Sequence, residues 1–144
     1  MGGVIMWEYE FAIDTDAPRA DIWRLWADVE RWGDWNDGVE AIEHTGPFAR
    51  GGTIEMTPPG EDVVHLELVE VIDGEMFADQ ARFGDLVLRT DHRMIPLADG
   101  RTRVVYRMVI TGPGADEVGP RIGPGITADW PETVAALVEH AGRP

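Results

Sequence analysis

No cysteine and no lysine occur anywhere in the 144 residues. The first absence removes disulfide frameworks, thiolate metal sites and cysteine nucleophiles. The second excludes Schiff-base chemistry on a side-chain amine. Cations are scarce altogether: twelve arginines face twenty-seven Asp and Glu, for a formal charge of −15. Such a surface repels phosphate backbones and anionic bilayers, so neither nucleic acid nor a membrane is an expected partner. No apolar run approaches the ~20 residues that span a bilayer. The opening "MGGVIMWEYEF" lacks the basic-then-apolar order of a secretion signal, and a cytoplasmic protein is expected.

What is present suits a single domain over residues 1–144. With 44% hydrophobic residues, the chain can build a core and need not be disordered. Trp7, Tyr9, Phe11 and Ile13 alternate with Glu8, Glu10 and Ala12, the period of a half-buried strand. Pro18 stands where a helix begins, and Ile22, Trp23, Trp26 and Val29 follow at helical spacing. From 39 to 111, six short apolar segments separated by "GPFARG", "PPGE", "DG", "GD" and "ADG" read as an antiparallel meander. "GPGADEVGPRIGPG" reads as a broken helix entrance. Ile126, Trp130, Val134, Leu137, Val138 and Ala141 then form one apolar stripe, so a helix over 126–141 is expected. The expected fold class is α+β: a curved seven-stranded antiparallel sheet wrapped around a long C-terminal helix, with an internal apolar cavity.

Turn chemistry sets the register. Gly84-Asp85 suits a two-residue type II′ hairpin, pairing Phe83 with Leu86, Asp79 with Thr90 and Phe77 with His92. Asp73-Gly74 would pair Ile72 with Glu75, placing Glu70 beside Phe77 and Leu68 beside Asp79. Ala98-Asp99-Gly100 pairs Leu97 with Arg101 and puts Tyr106 beside His92 and Met108 beside Thr90. One inner row then reads Glu70, Phe77, His92, Tyr106, and the next reads Leu68, Asp79, Thr90, Met108. Leu66, Leu88 and Met56 continue it as an apolar end. A slip by one residue would bury Arg89 and Arg93, so this register is strongly specified.

Asp79 and His92 are diagonal neighbours, roughly 5–8 Å apart at Cβ. They form either a structural pair, or a general acid/base pair or ligand anchor with shifted pKa values. His44, His65, His92 and His140 show no ligand spacing, so neither a metal nor another cofactor is expected. Trp35 and Asn36, just after the first helix, could rim a cavity mouth.

The opening strand with "DAPRADIWRLWADVERWGDWNDGVE", then "GPFARGGTIEM", "FADQARFGDLVLRTDHRM" and "TGPGADEVGPRIGPGI", resembles the START/Bet v1-like superfamily, in its polyketide cyclase/dehydrase-like branch. The resemblance covers nearly the whole chain. It implies a helix-grip fold around a deep apolar pocket and a hydrophobic small molecule as partner. Two functions follow: cyclisation or dehydration of a polyketide-like substrate by Asp79, His92 and Tyr106, or non-catalytic carriage of an apolar ligand. In either case Trp35, Asn36, Met56, Leu66, Leu68, Glu70, Phe77, Leu88, Thr90, Met108, Ile126 and Trp130 are the expected ligand contacts. A monomer or homodimer is expected.

Overall fold

The structure, a computed structural model, describes residues 6–143; Val4 and Ile5 of the expected first strand lie outside them. The elements run β1 (Met6–Thr15), α1 (Arg19–Ala27), a short 3-10 helix (Val29–Asp34), β2 (Ala41–Thr45), β3 (Thr53–Thr57), β4 (Val64–Ile72), β5 (Met76–Phe83), β6 (Leu86–Pro96), β7 (Thr102–Thr111), α2 (Ala115–Thr127) and α3 (Trp130–Ala141). All seven strands join one antiparallel sheet in the order β1-β7-β6-β5-β4-β3-β2. The sheet is curved, and its concave face is closed by the C-terminal helical arm.

Two hairpins hold the register on which the inner face depends. Gly84 takes φ +60, and the β5–β6 pairing runs Phe83 to Leu86, Asp79 to Thr90 and Phe77 to His92. Gly100 takes φ +87 where Leu97 N–H donates to the Arg101 carbonyl at 2.8 Å, and β6–β7 sets His92 against Tyr106 and Thr90 against Met108. A side chain with a Cβ would strain both positions.

The β4–β5 pair departs from expectation. Its loop has three residues, Asp73 to Glu75, so Ile72 opposes Met76 rather than Glu75. A bulge between Leu68 and Glu70 then absorbs the one-residue difference. The two shifts cancel at Leu68, which opposes Asp79 as expected. They do not cancel at Glu70, which opposes Ala78 while Val71 takes its place beside Phe77. Glu70 therefore sits on the outer face, where Arg89 donates to it at 2.7 Å.

The C-terminal arm also differs from a single helix over 126–141. Pro131 lies in the first turn of α3 and has no N–H to offer a preceding carbonyl, so the helical ladder is interrupted at Ala128 and Asp129. Ile126 consequently points outward and is 42% exposed. Trp130, Val134, Leu137 and Ala141 keep the apolar stripe and are buried, each of the larger side chains contributing about 1.5–3 kcal/mol of burial. The stretch expected as a broken entrance is helical instead, despite Pro120 and Pro124 inside it. Tertiary packing supports α2: Gly119 and Gly123 lie against Trp7 so closely that a Cβ would meet that side chain at 2.3 and 2.4 Å.

On the outer face Arg89 bridges Glu70 and Asp91, Arg93 reaches Asp91, Arg103 pairs with Asp14 and Arg107 with Glu8. His65 pairs with Glu55. These pairs are exposed or, around Asp91, half-buried, and the exposed ones are each worth little alone. Among the described residues, no helix is long and apolar enough to cross a membrane.

Candidate functional site

Three adjacent strands bring four polar side chains to the concave face. Asp79 on β5, Thr90 and His92 on β6 and Tyr106 on β7 are 6%, 8%, 8% and 5% exposed. They face an aromatic wall that α1 and α3 complete. The His92 ring stacks on Phe77 at 3.9 Å and nearly parallel, and meets the Tyr106 ring edge-on at 4.6 Å. Trp26, fully buried on α1, lies 5.4 Å from Phe77 and 6.3 Å from Tyr106 by ring centroids. Trp130, at the start of α3, lies 5.8 Å from Tyr106.

Hydrogen bonding assigns roles to these groups. The His92 Nδ1 lies 3.1 Å from the Phe77 carbonyl oxygen. A carbonyl can only accept, so Nδ1 carries the proton and Nε2 keeps a lone pair. Burial pulls the imidazole down to about 4, so it is neutral near pH 7. Trp26 Nε1–H donates to the Tyr106 hydroxyl oxygen at 3.2 Å. That leaves the Tyr106 proton to donate elsewhere, and burial raises the phenol well above its ordinary value.

Asp79 is the exception in this group. Burial, with a smaller contribution from the Asp91 charge, pushes its carboxyl up to about 7. No side-chain hydrogen bond reaches it among the described residues, and the expected bond with His92 is absent because Phe77 takes the imidazole N–H. Nor are its oxygens sealed off. The fully enclosed, unpartnered side-chain polar atoms among the described residues are Trp35 Nε1 and His140 Nδ1. Asp79 and Thr90 thus keep a slight exposure at the polar end of the concave surface.

Most of the expected contacts gather here. Leu68, Phe77, Leu88, Met108 and Trp130 are buried in one cluster with Trp35, and Met56 and Leu66 pack against it half-buried. Three do not. Glu70 is on the outer face for the reason given above, and Ile126 faces solvent. Asn36 is half-buried, but its Oδ1 accepts from Gly38 N–H at 2.8 Å and so fixes a turn. The gap expected along the sheet is largely filled by rings at this level. Two recesses open elsewhere, one of about 240 Å³ beside Trp7, Tyr9 and Pro131, the other of about 340 Å³ on the outer face beside Arg89, Asp91 and Arg107.

Two contributors escaped the sequence reading. Trp26 counted only as part of an apolar helical stripe, although a buried indole N–H needs an acceptor and the inner row offered Tyr106. Phe48 lies between strands, yet its ring packs on Phe77 at 5.2 Å and on Trp23 at 5.7 Å. An aromatic residue inside a polar turn was the available signal. Among the described residues, no group of three or more His, Asp or Glu is placed to hold a metal ion.

No family model and no curated protein sequence matches the chain. Solved structures do. Truncated norcoclaurine synthase from Thalictrum flavum superposes with TM-score 0.76 at 15% identity, over 96% of this chain and 95% of that one. Ara h 8.0201 gives TM-score 0.75 at 11% identity, over 94% and 97%. The di-domain ARO/CYC BexL from the BE-7585A biosynthetic pathway gives TM-score 0.78 at 12% identity, and this chain corresponds to 52% of it. At such identities the likeness concerns architecture. The curved seven-stranded antiparallel sheet and its C-terminal helical arm are the Bet v1-like helix-grip fold, and that is the fold of this chain.

Proposed function

We propose that the protein binds an apolar, polyketide- or lipid-like small molecule against the concave face, its polar group held by Asp79, Thr90, His92 and Tyr106. The observation that carries this reading is the convergence of four buried polar side chains whose bonding capacity is not used up by the protein. Buried polar groups left open are costly, and a partly oxygenated ligand would supply their partners. Tyr106 would donate to a ligand oxygen and His92 Nε2 would accept from a ligand hydroxyl. Ligand-binding and polyketide-cyclising proteins of the same fold support the general class.

Catalysis is the second reading, favoured by the tautomer of His92. A neutral imidazole with Nε2 free is a base at pH 7. It could take a proton from the carbon beside a carbonyl while Tyr106 holds the carbonyl oxygen, and Asp79, near half-protonated, could return a proton to a departing hydroxyl. Cyclisation or dehydration would follow from such transfers. Without them the protein would be a carrier or store.

Binding of the uncharged fluorescent probe N-phenyl-1-naphthylamine tests the shared part. Sub-millimolar affinity is expected for the wild type, and Leu88→Trp should abolish it by filling the space beside Thr90. Equal binding by both proteins would place the probe elsewhere and remove the support for this site.

A further inference from the structure

Asp79 has an unusual position in a chain whose every cation is an arginine. Arg89, Arg93, Arg103 and Arg107 lie on the outer face or at its edge, already paired with acids. Among the described residues, the elements around the carboxylate contribute no cation on their inward sides. Leu68 flanks it on β4 and Thr90 on β6, His92 is neutral, and α1 and α3 bury Ile22, Trp26, Trp130, Val134 and Leu137. The charged or titratable groups that act on it or respond to it are Asp91, across the sheet, and Tyr106. A buried carboxylate that shares the concave face with the Phe77, His92 and Tyr106 rings, keeps a slight exposure and lacks a counter-ion is half of an ion pair. Aromatic ring faces attract organic cations, and the −15 charge of the whole chain raises their local concentration.

Resting on the binding site proposed above, we propose that the ligand's polar group is a protonated amine, paired with the Asp79 carboxylate and enclosed by the surrounding aromatic rings. The ligand class is then an apolar skeleton carrying one primary or secondary ammonium, and carboxylate- or phosphate-bearing molecules are excluded. An ammonium also matches two of the remaining groups, since its other N–H bonds can reach the Thr90 hydroxyl or the free His92 Nε2, while the Tyr106 proton is left for an oxygen elsewhere on the ligand. Entry of the cation would ionise Asp79 and release its proton to solvent.

The test compares two nearly isosteric probes, naphthalen-1-ylmethylamine and naphthalen-1-ylmethanol, on the wild-type chain in 0.15 M salt. At pH 8 the amine should bind at least tenfold more tightly than the alcohol. Its affinity should fall about tenfold at pH 6, because a carboxyl titrating near 7 is then about nine-tenths protonated. Calorimetry in buffers of different ionisation enthalpy should show close to one proton released at pH 6 and little at pH 8. The alcohol should show neither effect. In Asp79→Asn, the preference for the amine should vanish while the alcohol still binds. Equal affinities for the two probes in the wild type, or binding of the alcohol alone, would overturn the amine assignment and leave the binding site standing. A preference that survives in Asp79→Asn would locate the cation on the acidic surface and would also overturn it. If neither probe binds, the binding site itself fails and the inference falls with it.

Discussion

Replacing Asp79 by asparagine should stabilise the protein, and only above mildly acidic pH. The substitution keeps shape and hydrogen-bonding capacity but removes a charge that has no partner in the fold. Raising a carboxyl from 3.8 to about 7 corresponds to about 4 kcal/mol of native-state cost once both states are ionised, at ~1.4 kcal/mol per pH unit. Water entry and relaxation around the charge bring the expected gain to roughly 2–4 kcal/mol. The sign follows from proton counts. Below pH 4 the carboxyl is protonated in folded and unfolded chains alike, so the two proteins should match within about 1 kcal/mol. Between pH 4 and 7 the unfolded chain gives up this proton first, and the wild type loses ground to the variant steadily. Above pH 7 the difference should level off. Urea unfolding of both proteins at half-unit intervals from pH 4 to 8.5 measures it, because contributions of the other carboxylates cancel in the difference. A difference that is flat with pH, or a variant that becomes less stable as pH rises, would show that Asp79 has a stabilising partner and refute the reasoning.

His92 should behave in the opposite sense. Its neutral form is favoured in the fold down to about pH 4, so stability is lost as pH falls from 6.5 towards 4, and ¹⁵N spectra at pH 7 should show Nδ1 protonated and Nε2 bare. An imidazolium spectrum at pH 6 would overturn this assignment. Gly119→Ala should lower stability by roughly 1–3 kcal/mol because the new methyl overlaps Trp7. Gly125→Ala, on the same helix with nothing within 4 Å, should be neutral or gain up to ~1 kcal/mol. Equal thermal shifts for these two alanines would sink the packing argument for α2.

Legibility in the sequence tracked how local the determinant was. Gly84-Asp85 and the loop ending in Gly100 specify their hairpins through residues only a few positions apart. Periodicity alone therefore placed Asp79, Thr90, His92 and Tyr106 on one face. The β4–β5 connection failed because Asp73-Gly74 looks like a two-residue loop, and the bulge that compensates has no signature in a run of alternating apolar residues. Glu70 was misplaced and Leu68 was not, since the two displacements cancel between them. Ile126 was misassigned because an apolar stripe was carried through Pro131. The helicity of α2 depends on Trp7, more than a hundred positions away, and no local rule could supply it. At the site, residue types and facing were legible. The partner of His92 was not, because a main-chain carbonyl has no letter of its own.

Among the described residues β1 has β7 as its one sheet neighbour, with Met6 opposite Thr111, and its Trp7 is clasped by glycines of α2. Both contacts span most of the chain, so the loop closed by them is entropically expensive and should form late. During synthesis β1 emerges before every element that can cover it. Trp7, Tyr9, Phe11 and Ile13 would then wait for about a hundred further residues, several seconds at ordinary ribosomal rates. The same strand that completes one side of the sheet is thus the nascent chain's most vulnerable segment. Acidic Glu8 and Glu10, interleaved with those side chains, would oppose its pairing with a neighbouring chain in the meantime.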